Sequence, residues 1–110
     1  MPQTMSSPEF NNLKNKICAK KARIAVIGLG YVGLPLAVEF AKKGFIVTGI
    51  DTDEGRVNNV ARSLPYILDV PINDISAVVR AKKLQPTTDF NSLSSSDAII
   101  ICVPTPLKRK

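Results

Sequence analysis

Three glycines, Gly28, Gly30 and Gly33, interrupt the chain directly after the apolar run Arg23–Ile27 and directly before an amphipathic stretch. The run is short and rich in β-branched residues, which suits a strand buried on both faces, as in a parallel sheet. Beyond it, Leu34, Ala37, Val38 and Ala41 recur at helical spacing. A second apolar run, Phe45–Ile50, ends on Asp51, roughly 20 residues past the glycines. Strand, glycine turn, helix, strand and acid in this order restrict the fold to a β-α-β unit with an anion-receptive turn. A glycine pattern alone carries little weight, because glycines are common in turns.

Each residue of that turn has a physical reason. Gly28 allows the sharp exit from the first strand, Gly30 lets a pyrophosphate approach the backbone, and Gly33 lets helix and strand pack closely. The amides of Tyr31 and Val32 fall at the helix N-terminus, where unpaired N–H groups and the positive dipole end attract an anion. Asp51 is placed to accept hydrogen bonds from the ribose hydroxyls of a dinucleotide, and its charge would repel a 2′-phosphate, so NAD is expected over NADP. Arg56, one turn into the next helix, is placed to cover the adenine or ribose, and its charge leaves some NADP tolerance open. Plainer alternatives exist: a ligand-free tight turn, Asp51 as a cap for the segment at Asp53, and Arg56 as a solvated surface residue.

The rest of the chain extends the alternation. Helices are expected over Tyr31 to about Lys43, ended by Gly44, over Asp53 to about Ser63 with Val57, Val60 and Ala61 inward, and over Ile72–Lys83 with Ile75, Val78 and Val79 inward. Leu64–Pro71 reads as an irregular connection, Leu84–Thr88 as a short strand, Asn91–Ser96 as a turn or short helix, and Ala98–Val103 as the last and most apolar strand. The expected fold is α/β: a Rossmann-type, doubly wound, mostly parallel sheet, truncated, of order 3-2-1-4, with helices on both faces. Residues 1–22 form a basic leader in which partial disorder is expected, with Phe10, Leu13 and Ile17 making one short helical stripe; residues 23–110 form the nucleotide-binding domain.

Composition narrows the function classes. The 110 residues suit one small domain. The net charge of +6 sits at the two ends, since between Ile24 and Leu107 seven Lys/Arg face eight Asp/Glu. Without an aromatic ladder beside the basic residues, no nucleic-acid partner is expected. No segment approaches the about 20 apolar residues of a membrane span, nor has the N-terminus a signal peptide's apolar core, so no membrane partner and a cytoplasmic location are expected. Cys18 and Cys102 lack metal-ligand spacing and the chain has no His. No metal site and no catalytic residue is therefore expected here, and Cys102 reads as a buried, inert thiol. The turn Val103-Pro104-Thr105-Pro106-Leu107 follows the strand beside the topological switch point, which places Thr105 near the cofactor.

Three stretches together, Gly28-Leu29-Gly30-Tyr31-Val32-Gly33-Leu34-Pro35-Leu36-Ala37, Gly49-Ile50-Asp51 and Cys102-Val103-Pro104-Thr105-Pro106-Leu107, resemble the N-terminus of the UDP-glucose/GDP-mannose dehydrogenase family. Thr87-Thr88-Asp89-Phe90 fits as well. Tyr66-Ile67 and Asp69-Val70-Pro71 resemble most the branch acting on UDP-N-acetylglucosamine or UDP-N-acetylmannosamine. The resemblance implies an oxidoreductase that converts the C6 alcohol of a UDP-sugar through an aldehyde to a carboxylate, reducing two NAD, in cell-surface polysaccharide biosynthesis. It implies NAD contacts from Tyr31, Val32, Asp51, Arg56 and Thr105, and catalytic residues in segments beyond this chain. The fragment is accordingly expected to be inactive and to bind NAD weakly, and its last strand to favour a homo-oligomer through an exposed edge. Two other readings share the first half of the pattern: a nucleotide-sensing Rossmann binding module, and an NAD-dependent dehydrogenase of the hydroxyacid type. Neither predicts the Pro-Thr-Pro turn in this form.

Overall fold

The computed structural model describes residues 8–18, 21–64 and 70–102. Within them the elements run α1 (Pro8–Cys18), β1 (Arg23–Ile27), α2 (Gly33–Lys42), β2 (Ile46–Ile50), α3 (Glu54–Ala61), α4 (Ile72–Arg80), β3 (Leu84–Thr87), a 3₁₀ turn (Phe90–Ser95) and β4 (Ala98–Ile101). The four strands form one sheet in the order β3-β2-β1-β4. Every pairing is parallel, with Ile24 opposite Val47 and Ala98, and Val47 opposite Leu84. The expected order and α/β class are therefore the observed ones.

The core lies between the sheet and α2, α3 and α4. Ile24, Val26, Val47 and Leu84 point from the strands into it, and Leu34, Ala37, Val38, Ala41, Val60, Ile75 and Val78 meet them from the helices. Each fully buried Leu or Ile there contributes about 1.5–3 kcal/mol relative to exposure. Helices on both faces of the sheet are not what the structure shows for these three, which all pack on one. The reason is topological. Right-handed crossovers from β1 to β2 and from β2 to β3 step the same way across the sheet, so their helices share a face. The step from β3 to β4 reverses direction, and its connection carries only the 3₁₀ turn. The second face bears Ile27, Ile50, Ile99 and Ile101; Ile99 and Ile101 are 48% and 67% exposed, so β4, although highly apolar, is not buried on both faces.

Local chemistry sets the element ends. Pro35 lies in the first turn of α2, where its missing N–H is tolerated. Gly44, at φ 104°, closes α2 in the left-handed region that favours glycine. Phe40 and Phe45 then meet edge to face, their centroids 5.9 Å apart, and set the return into β2. Helices α3 and α4 stop short of the expected Ser63 and Lys83 because Ser63 and Lys82 turn to positive φ (56° and 60°) without a glycine to announce it. Ala61, expected inward, is exposed, Val57 is half-buried, and Val60 alone of that trio is fully buried. In the leader, the helix α1 is longer than the single stripe anticipated; it opens with Pro8 and carries Glu9 in its first turn, both favourable at a helix N-terminus. No helix among the described residues is long and apolar enough to cross a membrane.

Candidate functional site

The carboxyl ends of β1 and β2 and the N-terminus of α2 converge on residues 28–33. The Gly28 N–H donates to the Ile50 carbonyl at 2.7 Å, which ties the exit of β1 to the end of β2. The Cys102 N–H donates to the Ile27 carbonyl, also at 2.7 Å, bringing the end of β4 to the same place. The three glycines of the turn are glycine for three different reasons. Gly28 has φ 99°, a backbone state that side chains rarely adopt. A Cβ on Gly33 would lie 1.5 Å from the Gly28 carbonyl oxygen, so α2 can start here only without a side chain. Gly30 has neither constraint: its φ is not in the left-handed region, and a Cβ on it would meet only the tip of Arg56, at 3.7 Å. Nothing within the described protein demands a glycine at 30. A ligand approaching the backbone there would need one.

The donors for such a ligand are in place. The N–H groups of Gly30, Tyr31 and Val32 have no hydrogen-bond partner among the described residues, while the carbonyls of Gly30 and Val32 accept from Leu34 at 3.1 Å and Leu36 at 3.2 Å. Helix α2 has no side-chain cap and no acidic residue in its first turn, so no group of its own offsets its positive end. The side chains of Tyr31 and Val32 are 78% and 66% exposed beside it. An anion fits this site by both charge and hydrogen bonding.

Asp51, at the end of β2, is the one buried charged residue among those described. Its Oδ2 accepts from the Leu29 N–H at 2.8 Å and from Arg56 Nη1 at 3.3 Å, and its Oδ1 accepts from the Asp53 N–H at 2.9 Å. Burial pushes the carboxyl pKa up, but the Leu29 and Asp53 amides and the Arg56 guanidinium outweigh it, and the net result lies below the ordinary Asp value. Asp51 is thus ionised at neutral pH. The capping role weighed for it belongs mainly to Asp53, whose Oδ1 accepts from the Gly55 and Arg56 amides at 2.8 and 3.3 Å. The Arg56 side chain keeps 41% of its surface exposed, yet its guanidinium is tethered to Asp51 and reaches the approach to Gly30.

The structure therefore brings together Gly28, Gly30, Tyr31, Val32, Gly33, Asp51 and Arg56. Thr105 and the rest of the Val103–Leu107 turn lie outside the described residues, as do Tyr66, Ile67 and Asp69. Cys102 is half-buried rather than buried, with its Cβ 3.3 Å from the position a Cβ on Gly33 would take. Among the described residues no cluster of His, Cys, Asp or Glu has the makings of a metal site. Sequence reasoning missed Leu29, whose side chain is fully buried against Gly49; a Cβ there would come within 2.8 Å of Leu29 Cδ2. The available signal was a glycine in the middle of an otherwise β-branched strand.

A parallel 3-2-1-4 sheet with an anion-receptive glycine turn after β1 and an acid after β2 defines a Rossmann-type dinucleotide-binding domain. Residues 22–110 match the UDP-glucose/GDP-mannose dehydrogenase family, NAD binding domain. The chain belongs to that family, and its cofactor is NAD. It is 40% identical over 88 residues to the UDP-N-acetyl-D-glucosamine 6-dehydrogenase of Pseudomonas aeruginosa, an alignment covering 80% of this chain and 20% of that protein. The structure of the UDP-N-acetylmannosamine dehydrogenase of Pyrococcus horikoshii superimposes with a TM-score of 0.73 at 38% identity, over 78% of this chain and 21% of that one. A GDP-mannose dehydrogenase from Pseudomonas aeruginosa superimposes with a TM-score of 0.75 at 30% identity, over 79% of this chain and 20% of that one. The chain thus spans about a fifth of the length of these relatives.

Proposed function

We propose that this chain is the cofactor-holding portion of a nucleotide-sugar 6-dehydrogenase that oxidises the C6 alcohol of a UDP-N-acetylhexosamine to the carboxylate, reducing two NAD. The observation that carries the binding half of this reading is Gly30, a glycine that the described protein does not itself require, placed among three amides with no hydrogen-bond partner among the described residues. In this reading the amides of Gly30, Tyr31 and Val32 hold the pyrophosphate, with Gly28 and Gly33 shaping the turn. Asp51 receives the ribose hydroxyls; Arg56, held at 3.3 Å, swings off Asp51 to cover the adenosine. Thr105 joins them by its position after β4. When bound, NAD supplies the hydride acceptor; these residues only hold and orient it. The likeness to UDP-N-acetylglucosamine and UDP-N-acetylmannosamine dehydrogenases supports the N-acetylhexosamine over UDP-glucose.

The oxidation itself is assigned to parts of the relatives that this chain does not cover, so the chain alone is expected to bind NAD weakly and to be inactive. A cytoplasmic location and a homo-oligomer complete the proposal; the exposed Ile99 and Ile101 support association. Calorimetric titration with NAD, NADP and UDP-sugars tests the assignment. NAD binding that exceeds NADP binding is the expected result. Absence of NAD binding at millimolar concentrations would refute it, and a monomer at all concentrations in sedimentation would remove the oligomer.

A further inference from the structure

We infer that Asp51 positions the phosphate-binding turn itself, by clamping the peptide between Gly28 and Leu29, in addition to any contact with ribose. The inference rests on the reading of residues 28–33 as the pyrophosphate cradle. That peptide plane turns about ψ of Gly28 and φ of Leu29, and Gly28, having no Cβ, restricts its ψ less than any other residue would. The structure fixes it from both sides. Its carbonyl oxygen lies against the Cα of Gly33, so close that a Cβ there would sit 1.5 Å away. Its N–H points the opposite way and donates to Asp51 Oδ2 at 2.8 Å, in a buried setting 22 residues distant in sequence. A charged acceptor in such a setting makes a shorter and stronger bond than a neutral one.

Rotation of this plane moves the Gly28 carbonyl off Gly33 and takes the start of α2 with it. The direction of the Gly30, Tyr31 and Val32 amides depends on that start. Asp51 is suited to the task because it is an acceptor at both oxygens, one for Leu29 and one for the Asp53 amide at 2.9 Å. Asparagine has the same shape but a single acceptor oxygen, so one of the two N–H groups would face an NH₂ donor. Asp51 is then a positioning residue for the phosphates, and loss of its charge should weaken a ligand that has no ribose.

Inorganic pyrophosphate is that ligand. Titrations of the full 110-residue chain, wild type and Asp51→Asn, with NAD and with pyrophosphate separate the two roles. A carboxylate that touches only ribose, once neutralised, leaves pyrophosphate binding unchanged or strengthens it, since a nearby negative charge has gone. A clamp predicts the opposite sign: pyrophosphate weakened about threefold or more, with hydrogen exchange at the Leu29 amide at least about tenfold faster while the Gly28 amide, bonded to Ile50, keeps its protection. An Arg56→Ala chain should keep the Leu29 amide protected. If Asp51→Asn does not fold, the wild-type Leu29 amide resonance should move with the carboxyl's ionisation in acid; a resonance that does not respond overturns the clamp. Weakened NAD binding with pyrophosphate and Leu29 exchange unchanged overturns the clamp and keeps the ribose contact. A wild-type chain that binds neither ligand refutes the cofactor reading, and the Leu29 amide then decides the clamp alone.

Discussion

Adding one methyl group at Gly30 and one at Gly33 should have opposite consequences, although the positions are three residues apart. In Gly33→Ala the new Cβ lies 1.5 Å from the Gly28 carbonyl oxygen and 2.7 Å from its carbon. Neither is a flexible side chain, so α2 must shift away from β1. Overpacking of this kind costs about 1–3 kcal/mol. At roughly 4–8 °C per kcal/mol for a domain of this size, Tm should fall by about 4–24 °C. In Gly30→Ala the Cβ meets Arg56 at 3.7 and 3.9 Å, ordinary contact with a movable group. Its backbone is not left-handed, so the change should be neutral or stabilise by up to about 1 kcal/mol through the unfolded chain. The same methyl occupies the approach to three amides, and NAD affinity should fall about 10- to 100-fold, or about 1.4–2.7 kcal/mol. Thermal melts and calorimetry on both variants provide the comparison. If Gly30→Ala melts as low as Gly33→Ala, or binds NAD as wild type does, the argument from the open cradle is wrong.

Asp51→Ala should weaken NAD by about tenfold more than NADP, because only NAD offers both ribose hydroxyls to the carboxylate; equal losses in paired titrations would refute the ribose contact. The lowered pKa of Asp51 gives its ionised form a stability contribution that is fully present above the unfolded value of about 3.9 and is lost as pH falls through the folded value. Asp51→Ala should therefore flatten the stability curve below about pH 4 in denaturant melts, and an unchanged acid limb would contradict the assignment. Removing the α3 cap with Asp53→Ala should cost about 1 kcal/mol, read as a Tm drop. Leu29→Ala, at a fully buried position against Gly49, should cost about 2–5 kcal/mol; a smaller loss would mean that the site collapses readily.

The sheet order was legible because few topologies satisfy a right-handed β-α-β unit followed by a reversal. The turn was legible because glycine at 28 and 33 answers to backbone and packing needs that recur wherever a strand turns sharply into a helix. Gly30 and Asp51 stood out through their spacing from the first strand, and the fold brings them to one turn. Other features left no local trace. Ser63 and Lys82 end their helices at positive φ where ordinary residues give no warning. The inward or outward direction of Ala61 depends on the rotation of α3 against the sheet, which a small residue does not announce. The exposure of Ile99 and Ile101 on the second face, where Ile50 is fully buried, depends on which parts of the chain pack there, and β4 itself does not announce that. The bond from Leu29 to Asp51 joins a backbone amide to a side chain 22 positions away, and an amide has no identity in a sequence. For Arg56, the pattern gave the residue, and only the fold showed it lying between Asp51 and Gly30.

The central claim is that the amides at the start of α2 receive a dinucleotide phosphate. Backbone N–H resonances followed during an NAD titration test it at the atoms concerned. The account predicts that the largest shifts fall on Gly30, Tyr31 and Val32, with Asp53 and Arg56 responding at the ribose side. Binding that perturbs other parts of the chain and leaves these three amides unmoved would contradict it.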